Sequence, residues 1–193
     1  MKKIYAFDFD GTLTTKDTLL EFIRFAKGTL AFGLGFMRYA HLLVLMKLGL
    51  YPNWKAKQKV FAHFFKDTTL DDFDAICQEF TASSRHLLRP KGIEAINQAL
   101  SEGSEVLIVS ASIDNWVQPF FPQVKVLGTQ IEVVDGKLTG RFLTKNCYGE
   151  EKVNRLKAIY PNRQDYHLTA FGDSNGDKEL LAFADESYFK PFR

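Results

Sequence analysis

Short apolar runs alternate with longer stretches of helical periodicity along this chain. KKIYAFDF (2–9) reads as a short buried strand and EVLIVSAS (105–112) as a second, and KVLGTQIEV (125–133) looks like a third. YHLTAFGDS (166–174) predicts a further strand and ESYFK (186–190) a last one. Between them, residues 15–82 are mostly helical in pattern. KGIEAINQALSEG (91–103) predicts an amphipathic helix closing at Gly103, and GEEKVNRLKAIY (149–160) predicts another helix. Asp135-Gly136 inside VVDGKLTG is a hairpin signal. Apolar strands separated by helices predict an α/β protein with a mainly parallel sheet covered on both faces.

Three of these strands stop at a cluster of small polar or acidic residues: Asp8-Phe9-Asp10-Gly11-Thr12, Ser110-Ala111-Ser112, and the run from Gly172 to Asp177. In an open parallel sheet the carboxyl ends of the strands share one edge, and ligands bind in the crevice outside it. The three clusters are therefore expected to meet in space. Asp8 and Asp10, at i and i+2 of a strand, are expected to point to one side, where their charges repel. Asp173 and Asp177 add two more carboxylates. A hard divalent cation resolves that repulsion, and Mg²⁺ takes one or two carboxylates together with waters and phosphate oxygens. Gly11 permits a tight turn whose backbone N–H groups are expected to cradle an anion, with Gly11, Thr12 and Ala111 as substrate-binding positions.

These residue types define roles. Asp8, at the strand end, is the expected nucleophile that takes the phosphoryl group. Asp10 is the expected proton donor to the leaving oxygen and acceptor from water. Ser110 hydrogen-bonds a phosphoryl oxygen, and a lysine offsets its charge, for which Lys152 is best placed.

Asp8-Phe-Asp10-Gly-Thr, Ser110 after LIV, Lys152 in GEEKV and GDSNGD (172–177) resemble the four ordered motifs of the haloacid dehalogenase superfamily, specifically its phosphatases. The resemblance implies a Rossmann-like catalytic core over 1–14 and 83–193 and an aspartyl-phosphate intermediate. It also implies Mg²⁺ held by Asp8, the backbone carbonyl of Asp10 and Asp173, with Asp177 assisting. Residues 15–82, between the first two motifs, resemble the helical cap of the phosphoserine phosphatase-like branch. Members acting on phosphoserine carry Glu where this chain has Asp17, so Asp17 is the nominated specificity residue, followed by Arg24 and Arg38. Around NCYGEEKV (146–153), and in its apolar cap, the chain is also similar to the type C phosphatidylglycerophosphatases of that branch. GDSNGD lacks the spacing and terminal Glu of an EF-hand loop, and FGLGF (32–36) lacks the third glycine of a dinucleotide fingerprint.

Charge changes the picture of the cap. Eight of the 25 basic residues and none of the 23 acidic ones fall between 22 and 66, so a chain of net charge +2 is strongly segregated. TLAFGLGFMRYAHLLVLMKLGLY (29–51) is apolar, but Arg38, His41 and Lys47 interrupt it, and Gly33, Gly35 and Gly49, with Gly28 just before it, weaken a single long helix. The expectation is a cap packed on its neighbours or, with aromatics among its lysines, a peripheral contact with anionic membrane.

The first apolar run is broken by Asp8 too early for a secretory segment. Cys77 and Cys147 form no metal or CxxC pattern and read as reduced thiols. The expected location is therefore cytoplasmic, peripheral at the inner face of the membrane if the cap meets lipid. The function expected from all this is Mg²⁺-dependent phosphomonoester hydrolysis on a lipid or other amphiphilic phosphate. The alternatives are a soluble-metabolite phosphatase, phosphoserine phosphatase among them, and a non-catalytic membrane or phosphate-binding module. No nucleic-acid module is recognisable.

Overall fold

The computed structural model describes residues 1–193. Strand β1 (Lys2–Phe7) is followed by helices α1 (Thr18–Lys47), α2 (Asn53–Phe65), α3 (Leu70–Ser84) and α4 (Pro90–Ser101). Then come β2 (Glu105–Ile113), the short α5 (Asp114–Val117), β3 (Lys125–Thr129), and a hairpin of β4 (Ile131–Val134) and β5 (Lys137–Phe142). The chain closes with α6 (Glu150–Ile159), β6 (Tyr166–Gly172), α7 (Lys178–Phe183) and β7 (Glu186–Phe189). The main sheet runs β3-β2-β1-β6-β7 and every pairing in it is parallel. This is the α/β, Rossmann-like architecture expected from the alternation of strands and helices.

β1 is the central strand, and its register decides where the chemistry sits. Phe7 pairs with Ile108 on one side and with Phe171 on the other. Asp8 then donates its N–H to the Phe171 carbonyl at 2.9 Å. The residues just past this register on the three strands, Asp8, Ser110 and Asp173, therefore lie together at one edge.

Three expectations need correction. β2 does not stop at the Ser110-Ala111-Ser112 cluster but runs through it to Ile113, which pairs with Thr129. β1 ends at Phe7, so Asp8 and Asp10 lie in the loop beyond it, and the alternation of side chains along a strand does not set their direction. The run read as one third strand divides at Gln130, whose N–H donates to Thr144 Oγ1 and whose carbonyl accepts from the Leu143 N–H. The returning chain captures Gln130 and opens the hairpin. Its Asp135-Gly136 turn has positive φ at both residues (50° and 74°), as a type I′ turn requires.

That hairpin leaves the main sheet and packs on the helical layer. Gly140 (φ +82°) lies against Ala62 of α2, where an added Cβ would stand 2.7 Å from the Ala62 Cβ. The Asp67 and Leu70 N–H groups donate to the Leu138 and Gly136 carbonyls. The helical layer is equally continuous with the sheet. Phe22 of α1 stacks on Trp116 at 4.8 Å and meets Phe65, Phe73 and Phe80 edge-on or tilted. All five rings belong to one buried cluster that also contains Phe7 and Phe9. Aromatic contacts of this kind add about 0.5–1.5 kcal/mol each beyond their burial.

α1 is two helical segments that meet at a kink at Gly28, whose backbone is not helical (φ 79°, ψ 162°). Gly33 and Gly35 are carried inside it despite their weak helix propensity. Gly35 is held by contact, because a Cβ there would come within 2.2 Å of the Phe64 ring. By length and composition alone α1 is long and apolar enough to cross a membrane. Both cysteines are buried and free.

Truncating Phe22 to Ala removes the ring shared by α1, α2, α3 and α5. The expected loss is about 3–5 kcal/mol of stability, read from urea unfolding.

Candidate active site

A buried ion-pair network lies at the carboxyl edge of the sheet. The Lys152 side chain, from the first turn of α6, is 1% exposed, and its Nζ donates to Asp8 Oδ1 and to Asp177 Oδ1 at 2.6 Å each. Asp177 Oδ2 accepts from the N–H groups of Asp173 (3.1 Å) and Ser174 (3.0 Å) and from the Ser174 hydroxyl (2.9 Å). Asp177 is thus committed on both oxygens, one holding the lysine and the other folding the 173–177 loop. Gly172 makes room for it, since a Cβ there would meet the Asp177 Cβ at 2.4 Å.

Burial pushes Asp8 up to about 7, with Asp177 and Asp10 adding to it against the pull of Lys152. For Lys152 burial works downward, but Asp8 and Asp177 outweigh it and hold the ammonium charged. In Asp177, Lys152 and the Ser174 donors outweigh burial and lower the pKa.

Asp10 is held by a separate set of donors. Its Oδ1 accepts from the Thr18 N–H (2.7 Å) and hydroxyl (2.6 Å), and its Oδ2 from the Ser112 hydroxyl. Trp116 Nε1 donates to Thr18 Oγ1 at 3.2 Å, which leaves the Thr18 proton for Asp10. Ser110 is buried and its Oγ accepts from the Ser112 N–H at 3.0 Å, so its own proton is free to donate into the cleft.

A cavity of about 640 Å³ opens over these groups. Asp8, Asp10, Gly11, Ser110, Ala111, Lys152, Asp173 and Asp177 line its polar end, together with Asp17. Of the nominated positions only Thr12, Arg24 and Arg38 fall outside it, and the Gly11, Ala111 and Asp17 groups are engaged within the protein. Thr12 is buried and donates to Asp173 Oδ1 at 3.4 Å, so it steadies the acidic loop and does not line the cavity. Gly11 turns its own N–H inward to Thr14 Oγ1, and its contribution is the turn (φ +82°) and clearance for Asp173, which a Cβ would meet at 2.5 Å. The Ala111 carbonyl accepts from Lys57 Nζ (2.7 Å) and Thr129 Oγ1 (2.9 Å). Asp17 spends Oδ1 on the N-cap of α1, accepting from the Leu19 and Leu20 N–H groups. Arg24 and Arg38 are outside the cavity; Arg24 pairs with Glu21 and lies over the Phe32 ring.

The cationic rim comes from residues that sequence reasoning passed over. Lys16 from the loop after β1, Lys47 from the end of α1 and Lys57 from α2 reach the cavity, and desolvation in the cleft lowers Lys57 below the ordinary lysine range against the attraction of Asp10 and Asp17. Lys57 sits in an amphipathic basic helix, where spacing gives no sign that it turns inward. Thr18, Ser112 and Trp116 were equally silent, although Ser112 stands within a polar cluster that drew notice for its neighbours.

Oxygens of Asp8, Asp173 and Asp177 lie within 4.8 Å of one another. Three carboxylates with oxygen donors only, facing one buried lysine, fit a hard divalent cation of the Mg²⁺ type. Arg193 now pairs with Asp173 Oδ2.

A family model described as haloacid dehalogenase-like hydrolase matches residues 5–182. The chain belongs to that family. Protein CicA of Caulobacter vibrioides is 33% identical to it over 196 residues that cover 98% of this chain and 86% of that protein. A Bordetella pertussis protein of unknown function superposes with a TM-score of 0.84 at 20% identity, over 97% of this chain and 89% of the other. Phosphoserine phosphatase from T. onnurineus superposes at 0.64 with 20% identity, over 98% and 84%. The fold of this hydrolase is thus that of the phosphoserine phosphatase-like branch.

Replacing Lys152 by Met leaves Asp8 and Asp177 buried without their cation. The expected cost is about 3–5 kcal/mol in urea unfolding, and adding Asp177→Asn should recover part of it.

Proposed function

We propose that this chain is a Mg²⁺-dependent phosphomonoester hydrolase that works through a phosphoryl group on Asp8, and that its substrate is amphiphilic, a lipid phosphate among the candidates. The observation that carries the substrate reading is the composition of the cavity. Beyond its acidic end, the same space is lined by Leu19, Leu20, Phe36, Leu43, Met46 and Val60. A phosphate at the carboxylates places the rest of the ester against apolar walls, and a site of that kind favours an apolar body over a zwitterion.

The chemistry follows from the held groups. Asp8 keeps one oxygen on Lys152, and the other attacks phosphorus; the Asp8 oxygen–phosphorus bond forms as the bond to the leaving alkoxide breaks. Asp10, aimed by Thr18 and Ser112, gives that alkoxide its proton. A water then attacks the phosphoryl group, Asp10 takes the proton back, and inorganic phosphate leaves with Asp8 restored. Ser110 donates to a phosphoryl oxygen, and Lys152 offsets the charge developing beside it. Asp8 and Asp173, backed by Asp177, are the residues that would hold Mg²⁺, which neutralises phosphoryl charge when bound.

Lys16, Lys47 and Lys57 at the mouth favour a second reading, a soluble metabolite carrying an additional negative charge. A series of alkyl phosphates separates the two. On the amphiphile reading, kcat/KM rises with each added methylene, by a factor of up to about four per buried CH₂. A flat series, together with a preference for doubly anionic short esters, would replace it by the metabolite reading.

Asp8→Asn is expected to abolish turnover of an aryl phosphate while the circular dichroism spectrum is unchanged. An active Asp8→Asn enzyme would remove the covalent route. Asp10→Asn should lower kcat by about 10²–10⁴ with little change in Mg²⁺ affinity by calorimetry.

A further inference from the structure

α1 has two apolar faces, and only one of them is used inside the protein. Phe32, Phe36 and Tyr39 pack toward α2, and Phe36, Leu43 and Met46 line the active-site cavity. On the opposite face Leu30, Leu34, Met37, His41, Val44 and Leu48 recur at alternating intervals of four and three residues, which stacks them in one stripe along the helix. All six are exposed, Leu30 by 78%, Met37 by 69% and Leu48 by 66%. Leu50 and Trp54 extend the stripe past the end of α1. A contiguous apolar strip of this length on a protein surface marks a contact site.

The surrounding charge selects the partner. Helical spacing puts Arg38 on one flank of the stripe and Lys47 on the other. Lys55 and Lys59 stand beside its far end, over the rings of Trp54 and Tyr51. No acidic residue occurs from 22 to 66. A second copy docked on this face would bring its own Arg38, Lys47, Lys55 and Lys59 against these without a carboxylate between 22 and 66 in either chain, whereas an anionic lipid surface complements them. Amphipathic aromatics beside long basic side chains are the interfacial combination, with rings at headgroup depth and cations reaching the phosphates.

We infer that the exposed face of α1, with Arg38, Lys55 and Lys59, is a docking surface for an anionic lipid bilayer, on which α1 lies in the interface plane. α1 does not cross the bilayer in this arrangement, because its first turns are in the core through Phe22 and Ile23 and its other face is closed by α2 through the Gly35–Phe64 contact. Docking sets the helix that builds most of the apolar half of the cavity on the lipid, with the cavity on its other face. This deepens the reading of an amphiphilic substrate and rests on it for its purpose, but not for the binding itself.

The test is co-sedimentation of the full chain with vesicles of phosphatidylcholine alone and of phosphatidylcholine with phosphatidylglycerol. The wild type should bind the anionic vesicles and lose that binding as salt is raised. Arg38→Gln/Lys55→Gln/Lys59→Gln should weaken it by about a hundredfold. Leu34→Gln/Met37→Gln/Val44→Gln should weaken it by at least about tenfold. Both triple variants should hydrolyse a soluble aryl phosphate as the wild type does, since none of these side chains lines the cavity. Equal binding to neutral vesicles, or anionic binding that both variants retain, overturns the proposal. So does a wild-type dimer in sedimentation velocity that the Leu34→Gln/Met37→Gln/Val44→Gln variant breaks, which would assign the stripe to a second copy. Loss of aryl phosphate turnover in the wild type, with lipid binding intact, would count against the phosphatase and leave the docking surface standing.

Discussion

Lys152 cannot be buried alone. An ammonium ion taken out of water at this depth needs carboxylates within hydrogen-bonding distance, and Asp8 and Asp177 supply them from the ends of two different strands. That requirement ties α6, the β1 loop and the 173–177 loop into one arrangement. It forces glycine at 172, where Asp177 comes too close for a side chain. Asp8, left with one oxygen on the lysine and the other free, is ready for chemistry for the same reason that it is buried. The two carboxylates still outnumber the cation between them.

A second constraint aims Asp10. Its three donors come from the start of α1 and the end of β2, and Trp116 fixes the Thr18 hydroxyl from behind. Trp116 also stacks on Phe22, so the packing of the helical layer and the direction of the Asp10 carboxylate are parts of one structure. The helices following β1 form a wall of the site, joined to the sheet by a common aromatic core, and the β4–β5 hairpin buttresses that wall from outside.

Much of this was legible in the chain. Apolar runs leading to Asp8, Ser110 and Gly172 announced three neighbouring strands of a parallel sheet, although β2 continues through Ser110 to Ile113. Lys152 was legible because a phosphoryl site needs a cation and α6 leads back to the sheet. Thr18 and Ser112 were not, because the contacts that matter span 8 and 102 residues and each residue alone reads as an ordinary helix or strand terminus. Lys57 was hidden among lysines of identical local pattern, with its direction set by the packing of α2. The inward N–H of Gly11 was missed because Thr14, three residues on, captures it, and the break after β3 because Gln130 pairs with residues 143–144. In each case a contact remote from the local pattern overrode the local reading.

Acid-quenching the Mg²⁺-loaded protein during turnover of an aryl phosphate, followed by peptide mapping of the trapped phosphoryl group, tests the central claim most directly. The account requires the phosphoryl group on the peptide bearing Asp8, absent in Asp8→Asn and accumulating in Asp10→Asn, whose phosphoenzyme reacts slowly with water. Phosphate release with no modified Asp8, or with the phosphoryl group on another residue, would contradict it.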